Sequence, residues 1–66
     1  MVDIIIHVSQ RLSKATVHGD SERGRTWIRQ NMMIREMEKP PIVISAEMVS
    51  DLQANIECEG LEVLVR

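Results

Sequence analysis

The chain alternates short β-branched runs with stretches of helical period, and this pattern predicts its elements one after another. Val2-Asp-Ile-Ile-Ile-His-Val8 reads as a strand, because branched side chains suit a pleated surface. Ile4, Ile6 and Val8 share one face of it, with Ile5 and His7 on the other. Lys14-Ala-Thr-Val-His18 is a second, weaker strand with Ala15 and Val17 on one face. Ser9 to Ser13 would join the two as a hairpin connection. It contains neither Gly nor Asn, the residues that tight hairpin turns favour, so one long bent strand is the alternative.

Gly19-Asp20-Ser21 opens a helix. Asp20 or Ser21 would cap the free N–H groups of its first turn, and Glu22 suits the positive end of the helix dipole. The helix runs from about Ser21 to Met32 or beyond. Gly24, Trp27, Ile28, Asn31 and Met32 fall on one stripe at three- and four-residue spacing. A glycine inside a helix costs roughly 1 kcal/mol against alanine, so Gly24 implies close packing. Met33 and Met37 lie on a different side, so the helix either breaks near Met33 or is apolar on two sides.

Pro40-Pro41 is a firm stop, and Lys39 before it is driven out of helical conformations. Ile42-Val-Ile44 is a short strand of buried type. Ser45 then caps a second helix, Ala46 to about Glu59, whose apolar stripe is Met48, Val49, Leu52 and Ile56. Gly60 stands where a helix ends in a left-handed residue, and Leu61 can pack back onto the last turn. Leu61-Glu-Val-Leu-Val-Arg66 is the final strand.

The order is ββαβαβ, or βαβαβ if the first two strands are one. It defines an α+β fold, a small three- or four-stranded sheet with two helices packed on one face. The strand–helix–strand second half lets Ile42–Ile44 and Leu61–Arg66 lie parallel in one sheet. The 66 residues form a single domain. A chain this short buries only about 60% of its unfolded surface, so its stability needs a supplement. Cys58 is the only cysteine, which excludes an internal disulfide and fits a reducing compartment. Its bland reading is a small buried hydrophobe. His7, His18 and Cys58 lack the short spacings of metal ligands, and neither metal nor cofactor is expected. Oligomerisation is the supplement that remains.

Uninterrupted apolar runs such as Ile4-Ile5-Ile6 are short, whereas a membrane span needs about 20 residues. No signal-peptide pattern follows Met1. The expectation is a cytoplasmic protein with no membrane partner.

Charge changes the picture more than composition does. The net charge is −2, but residues 9 to 35 hold Arg11, Lys14, Arg23, Arg25, Arg29 and Arg35 against Asp20 and Glu22. Residues 41 to 66 hold Arg66 against Glu47, Asp51, Glu57, Glu59 and Glu62. Such a dipole can pair head to tail with a second copy or dock on a charged partner. Trp27, the only aromatic residue, lies within the basic stretch. Its stripe makes it a core anchor, and Arg23, Arg25 and Arg29 form a basic rim around it.

Arg and Trp dominate the energetics of many interfaces, so Arg23, Arg25, Trp27 and Arg29 are one candidate contact face. Met33, Ile34 and Met37 form a second, suited to a homodimer because methionine adapts to its partner. The competing readings are a solvated face and a nucleic-acid module placing Arg11, Lys14, Arg25 and Arg29 on phosphates. The negative net charge and the shortage of stacking aromatics weigh against nucleic acid.

Catalytic readings are thin. His7 and His18 would face one another across the hairpin and work as a proton-transfer pair, or simply sit on the solvent face. A Cys58–His pair would be a nucleophile and base, but the flanking Glu57 and Glu59 disfavour a thiolate. No glycine-rich phosphate loop is present. A non-enzymatic protein is expected, with no catalytic residues.

Glu22-Arg-Gly-Arg-Thr-Trp-Ile-Arg-Gln-Asn31 resembles short uncharacterised proteins of bacteriophages and mobile elements that carry a Gly-Arg-x-Trp helix start. Some of these end in a helix running into Gly-Leu-Glu-Val, similar to Gly60-Leu-Glu-Val63 here. The resemblance implies an origin and a fold element but no activity. Small phage accessory proteins commonly act by binding a host protein, which makes a host protein the second expected partner after a copy of the chain itself.

Overall fold

The computed structural model describes residues 1–32 and 42–66. The expected Pro40-Pro41 stop, the non-helical Lys39 and the ridge of Met33, Ile34 and Met37 lie outside the described residues. The elements are β1 (Ile4–Ser9), β2 (Lys14–Gly19), α1 (Glu22–Asn31), β3 (Ile42–Ser45), a 3-10 turn (Ala46–Met48), α2 (Val49–Cys58) and β4 (Val63–Val65). The fold is α+β, with four strands in the order β3-β2-β1-β4. β1 pairs antiparallel with β2, β2 pairs antiparallel with β3, and β1 pairs parallel with β4. β3 and β4 therefore run in the same direction, as the strand–helix–strand pattern implies, but they stand at opposite edges with the hairpin between them.

The first two strands are separate, and Ser9 pairs with Lys14 across the turn. Ser13 supplies the left-handed conformation, at φ 54°, that Gly or Asn usually provides. This is why the turn carried no ordinary signal. The Ser13 carbonyl accepts the Ala46 N–H at 3.0 Å, tying the turn to the entrance of the second helical segment.

One face of the sheet is the core. Ile4 and Ile6 of β1 and Ala15 and Val17 of β2 are fully buried against Trp27 and Ile28 of α1, Val49 and Ile56 of α2, and Leu61. Both helices thus cover the same face. Each fully buried aliphatic side chain contributes about 1.5–3 kcal/mol, and Ile4, Ile6, Val17, Ile28 and Ile56 qualify. The opposite face carries Ile5, His7, Thr16, His18, Val43 and Leu64, and no described helix lies over it.

α1 begins as its sequence implies. Ser21, not Asp20, is the cap, and its hydroxyl accepts the Gly24 N–H at 3.0 Å. α2 departs from expectation at its start. Ser45 makes no side-chain capping bond; it is the last residue of β3, paired with Lys14. The 3-10 turn then rotates Met48 out of the expected stripe, leaving it 55% exposed, because three residues per turn do not keep the α-helical phase. Val49, Leu52 and Ile56 keep theirs.

The end of α2 matches its sequence closely. Gly60 adopts φ 81°, its N–H donates to Glu57, and the Leu61 N–H donates to Ile56. This is a Schellman ending, and Leu61 packs with Ile56 in the core as that motif favours. Leu61 therefore closes the helix, and the last strand shortens from the expected Leu61–Arg66 to Val63–Val65. Cys58, the last residue of α2, is exposed, contrary to the buried reading.

Candidate functional site

The most connected polar group is Asp3, which the pattern of hydrophobic residues did not single out. It is the one buried charged side chain among the described residues, at 6% exposure. The Ser21 hydroxyl donates to one carboxylate oxygen at 2.6 Å, and the Glu62 N–H donates to the other at 3.0 Å. Those two bonds, the Ser21 one foremost, hold the carboxyl below the usual aspartate value, against its desolvation. Arg23 and the N-terminal ammonium pull the same way. The Asp3 carbonyl accepts the Asp20 and Ser21 N–H groups. Gly24 presses on that same carbonyl: a Cβ at Gly24 would overlap its oxygen and lie 2.7 Å from its carbon. One residue thus ties together the start of β1, the first turn of α1 and the entry to β4.

Trp27 is 9% exposed and belongs to the core. Its indole N–H is buried without a hydrogen-bond partner among the described residues, at a cost of about 1–3 kcal/mol. A buried Trp removes about 150–250 Å² from water, worth about 4–6 kcal/mol at 25 cal/mol per Å². Packing therefore wins, and the indole is an anchor first.

The helical period splits the expected basic face. Arg23 and Trp27 share one flank, facing the end of α2; Arg23 donates to the Gly60 carbonyl at 3.5 Å. With Thr26, Gln30, Glu59 and Leu61 they line a shallow groove of about 440 Å³. Arg25 lies 200° around the helix from Arg23, and Arg29 the same 200° from Trp27, at 100° per residue. The aliphatic stem of Arg25 lies near Gly19, and both guanidinium-bearing residues are exposed. Arg23, Arg25, Trp27 and Arg29 therefore belong to two surfaces. Arg11 and Lys14 are exposed at the hairpin turn, and Met33 and Met37 fall outside the described residues.

The expected His7–His18 confrontation is displaced. The register sets His7 opposite Thr16 and His18 opposite Ile5, so the two histidines are diagonal neighbours on the open face of the sheet. Both are exposed. Cys58 belongs to α2 on the other side of the sheet, so the three do not converge in one cleft.

The open face holds apolar side chains at its edges. Val43 on β3 is 60% exposed and Leu64 on β4 is 37% exposed. No helix among the described residues is long and apolar enough to cross a membrane. The chain matches no protein-family profile, no curated protein and no solved structure at a significant level.

Proposed function

We propose that this is a small, non-enzymatic, cytoplasmic accessory protein that works by protein–protein contact, with a second copy of itself as its first partner. The observation that carries this reading is the one-sided sheet. With both helices on one face, the described residues leave Leu64 of the β4 edge, beside half-buried Ile5, uncovered on the other, and an exposed apolar side chain next to an unpaired strand edge is what a second copy can bury. The phage-like Gly-Arg-x-Trp helix start supports an origin among accessory proteins of phages or mobile elements. The groove between Arg23 and Trp27 suits a host protein, since Arg and Trp are the residue types that most often dominate binding.

Solution mass tests the reading. Sedimentation equilibrium from micromolar to millimolar concentration is expected to approach twice the 7.6 kDa monomer. A single monomeric species throughout removes the self-association claim.

A nucleic-acid module is the second reading, supported by Arg25 and Arg29, exposed and one helical turn apart with no ion pair among the described residues. It requires binding that weakens steeply with salt, and a missing gel shift at low salt disposes of it.

A further inference from the structure

The outer edge of β4 has no strand partner among the described residues. The Glu62 carbonyl accepts the Asp3 and Ile4 N–H groups at 2.9 and 3.1 Å, the Arg66 N–H donates to Ile6 at 2.8 Å, and the Arg66 carbonyl accepts the Val8 N–H at 2.9 Å. The peptide groups of Glu62 and Arg66 therefore turn inward to β1. Alternation along a strand turns those of Val63 and Val65 outward, and β4 is an edge of the sheet among the described residues. Natural edges are protected by Pro, Lys or inward charge. β3 at the other edge follows Pro40-Pro41, whereas Val63-Leu-Val65 carries neither Pro nor charge and is guarded only by its shortness, three residues.

We propose that two copies join through β4 in antiparallel register about a two-fold axis at Leu64, making one continuous sheet across both. This rests on the self-association reading and names its surface. The segment Glu62-Val-Leu-Val-Arg66 is self-complementary in that register. Val63 stands opposite Val65 of the second copy, and each pair exchanges two backbone hydrogen bonds through the groups that point outward. Leu64 meets its own equivalent. Glu62 stands opposite Arg66 of the second copy, twice by symmetry.

A shift by one residue sets outward peptide groups against inward ones. A shift by two separates the charges. The outward peptides, the apolar centre and the opposed charges thus select the same register independently. The parallel pairing with β1 puts Leu64 beside Ile5 on the open face, so Glu62, Leu64 and Arg66 all present their side chains there. The Glu62 side chain is 59% exposed while binding the Met1 ammonium at 3.1 Å. Arg66 makes no ion pair among the described residues.

Five paired residues per copy bury less than the roughly 800 Å² per partner of a standard interface. The dimer is therefore of the weak, concentration-dependent class.

The test is sedimentation equilibrium on the full chain and three variants, with far-UV circular dichroism confirming each fold. Arg66→Glu sets like charges opposite one another and is expected to weaken the dimer about tenfold or more. The double variant Glu62→Arg/Arg66→Glu restores opposite charges and dimerisation. Val65→Pro removes an outward N–H that bonds nothing within the monomer, so it leaves the fold and abolishes the dimer. A dimeric wild type whose Arg66→Glu and charge-swapped forms associate equally well overturns the β4 edge and leaves self-association standing. A monomeric wild type at every concentration overturns both. Should Val65→Pro fail to fold, the charge variants decide alone, because both positions are exposed.

Discussion

α1 is fixed to the sheet at its first turn and α2 at its last, and the two attachments use different chemistry. At α1 the work is done by side chains: Ser21 caps Gly24, the same hydroxyl donates to buried Asp3, and Trp27 sinks into the core one turn later. At α2 it is done by backbone conformation: Gly60 turns left-handed, two N–H groups close the last turn, and Leu61 returns to the core. The entry to α2 has no side-chain cap and passes through a 3-10 turn. One helix is thus sensitive to side-chain chemistry and pH at its beginning, and the other to backbone freedom at its end.

The hardest blow to this division is Trp27→Ala. Truncating a buried Trp costs about 3–5 kcal/mol, a large share of the 5–15 kcal/mol that holds a domain together. Thermal melts should show a mostly unfolded chain. Trp27→Phe should retain much of the stability, because it leaves no indole N–H to bury. A Trp27→Ala protein that melts like the wild type and loses only binding would move the indole from anchor to contact residue.

Gly24→Ala probes the same end more finely. Alanine is the better helix former by about 1 kcal/mol, yet its Cβ has no room beside the Asp3 carbonyl. Overpacking of this kind costs about 1–3 kcal/mol, so urea denaturation should show a net loss. An unchanged or raised midpoint would mean that α1 does not approach β1 so closely.

The two serines give the direct contrast. Ser21→Ala should cost about 2–3 kcal/mol, because it removes both the cap and the hydrogen bond to the buried Asp3 carboxylate. Ser45→Ala should stay within about 0.5 kcal/mol of wild type, since Ser45 caps nothing. Equal losses at the two sites would erase the distinction between the helices.

Asp3 gives the α1 end a pH response. Asp3 has a lowered folded pKa, so the stability it contributes is fully present above the unfolded aspartate value, about 4. It is lost as pH falls through the lowered folded value. Asp3→Asn should be less stable than wild type at neutral pH, with the gap closing in acid. Parallel denaturation profiles from neutral to strongly acidic pH would show that the carboxylate is not held in this way.

The elements whose signal is local were legible in the sequence. Ile4 and Ile6 against His7, the Trp27–Ile28 stripe and Gly60-Leu61 each depend on residues a few positions apart, and each takes its expected place. What was not legible depends on distant partners. Asp3 reads as a polar residue at the start of a strand until Ser21 and the Glu62 N–H are beside it. Strand order is set by which ladders form, so nothing in Val63–Val65 announces an edge. The basic rim is a mixed outcome: periodicity puts Arg25 and Arg29 on one flank of α1, but only the groove at Gly60 assigns Arg23 to the other. The start of α2 was misread because Ser45 resembles a cap while the chain spends it as the last residue of β3.

The most direct measurement of how this protein acts is an isotope-filtered NOE experiment on a mixture of labelled and unlabelled chains at high concentration. Directly opposed residues of an antiparallel pair have Cβ atoms about 4.5–5.5 Å apart. Pairing through β4 therefore predicts contacts between the Leu64 methyl groups of the two copies, with Val63 close to Val65 of the other. Intermolecular contacts confined to the Trp27 groove or to the flank of Arg25 and Arg29, with none at Leu64, would contradict it.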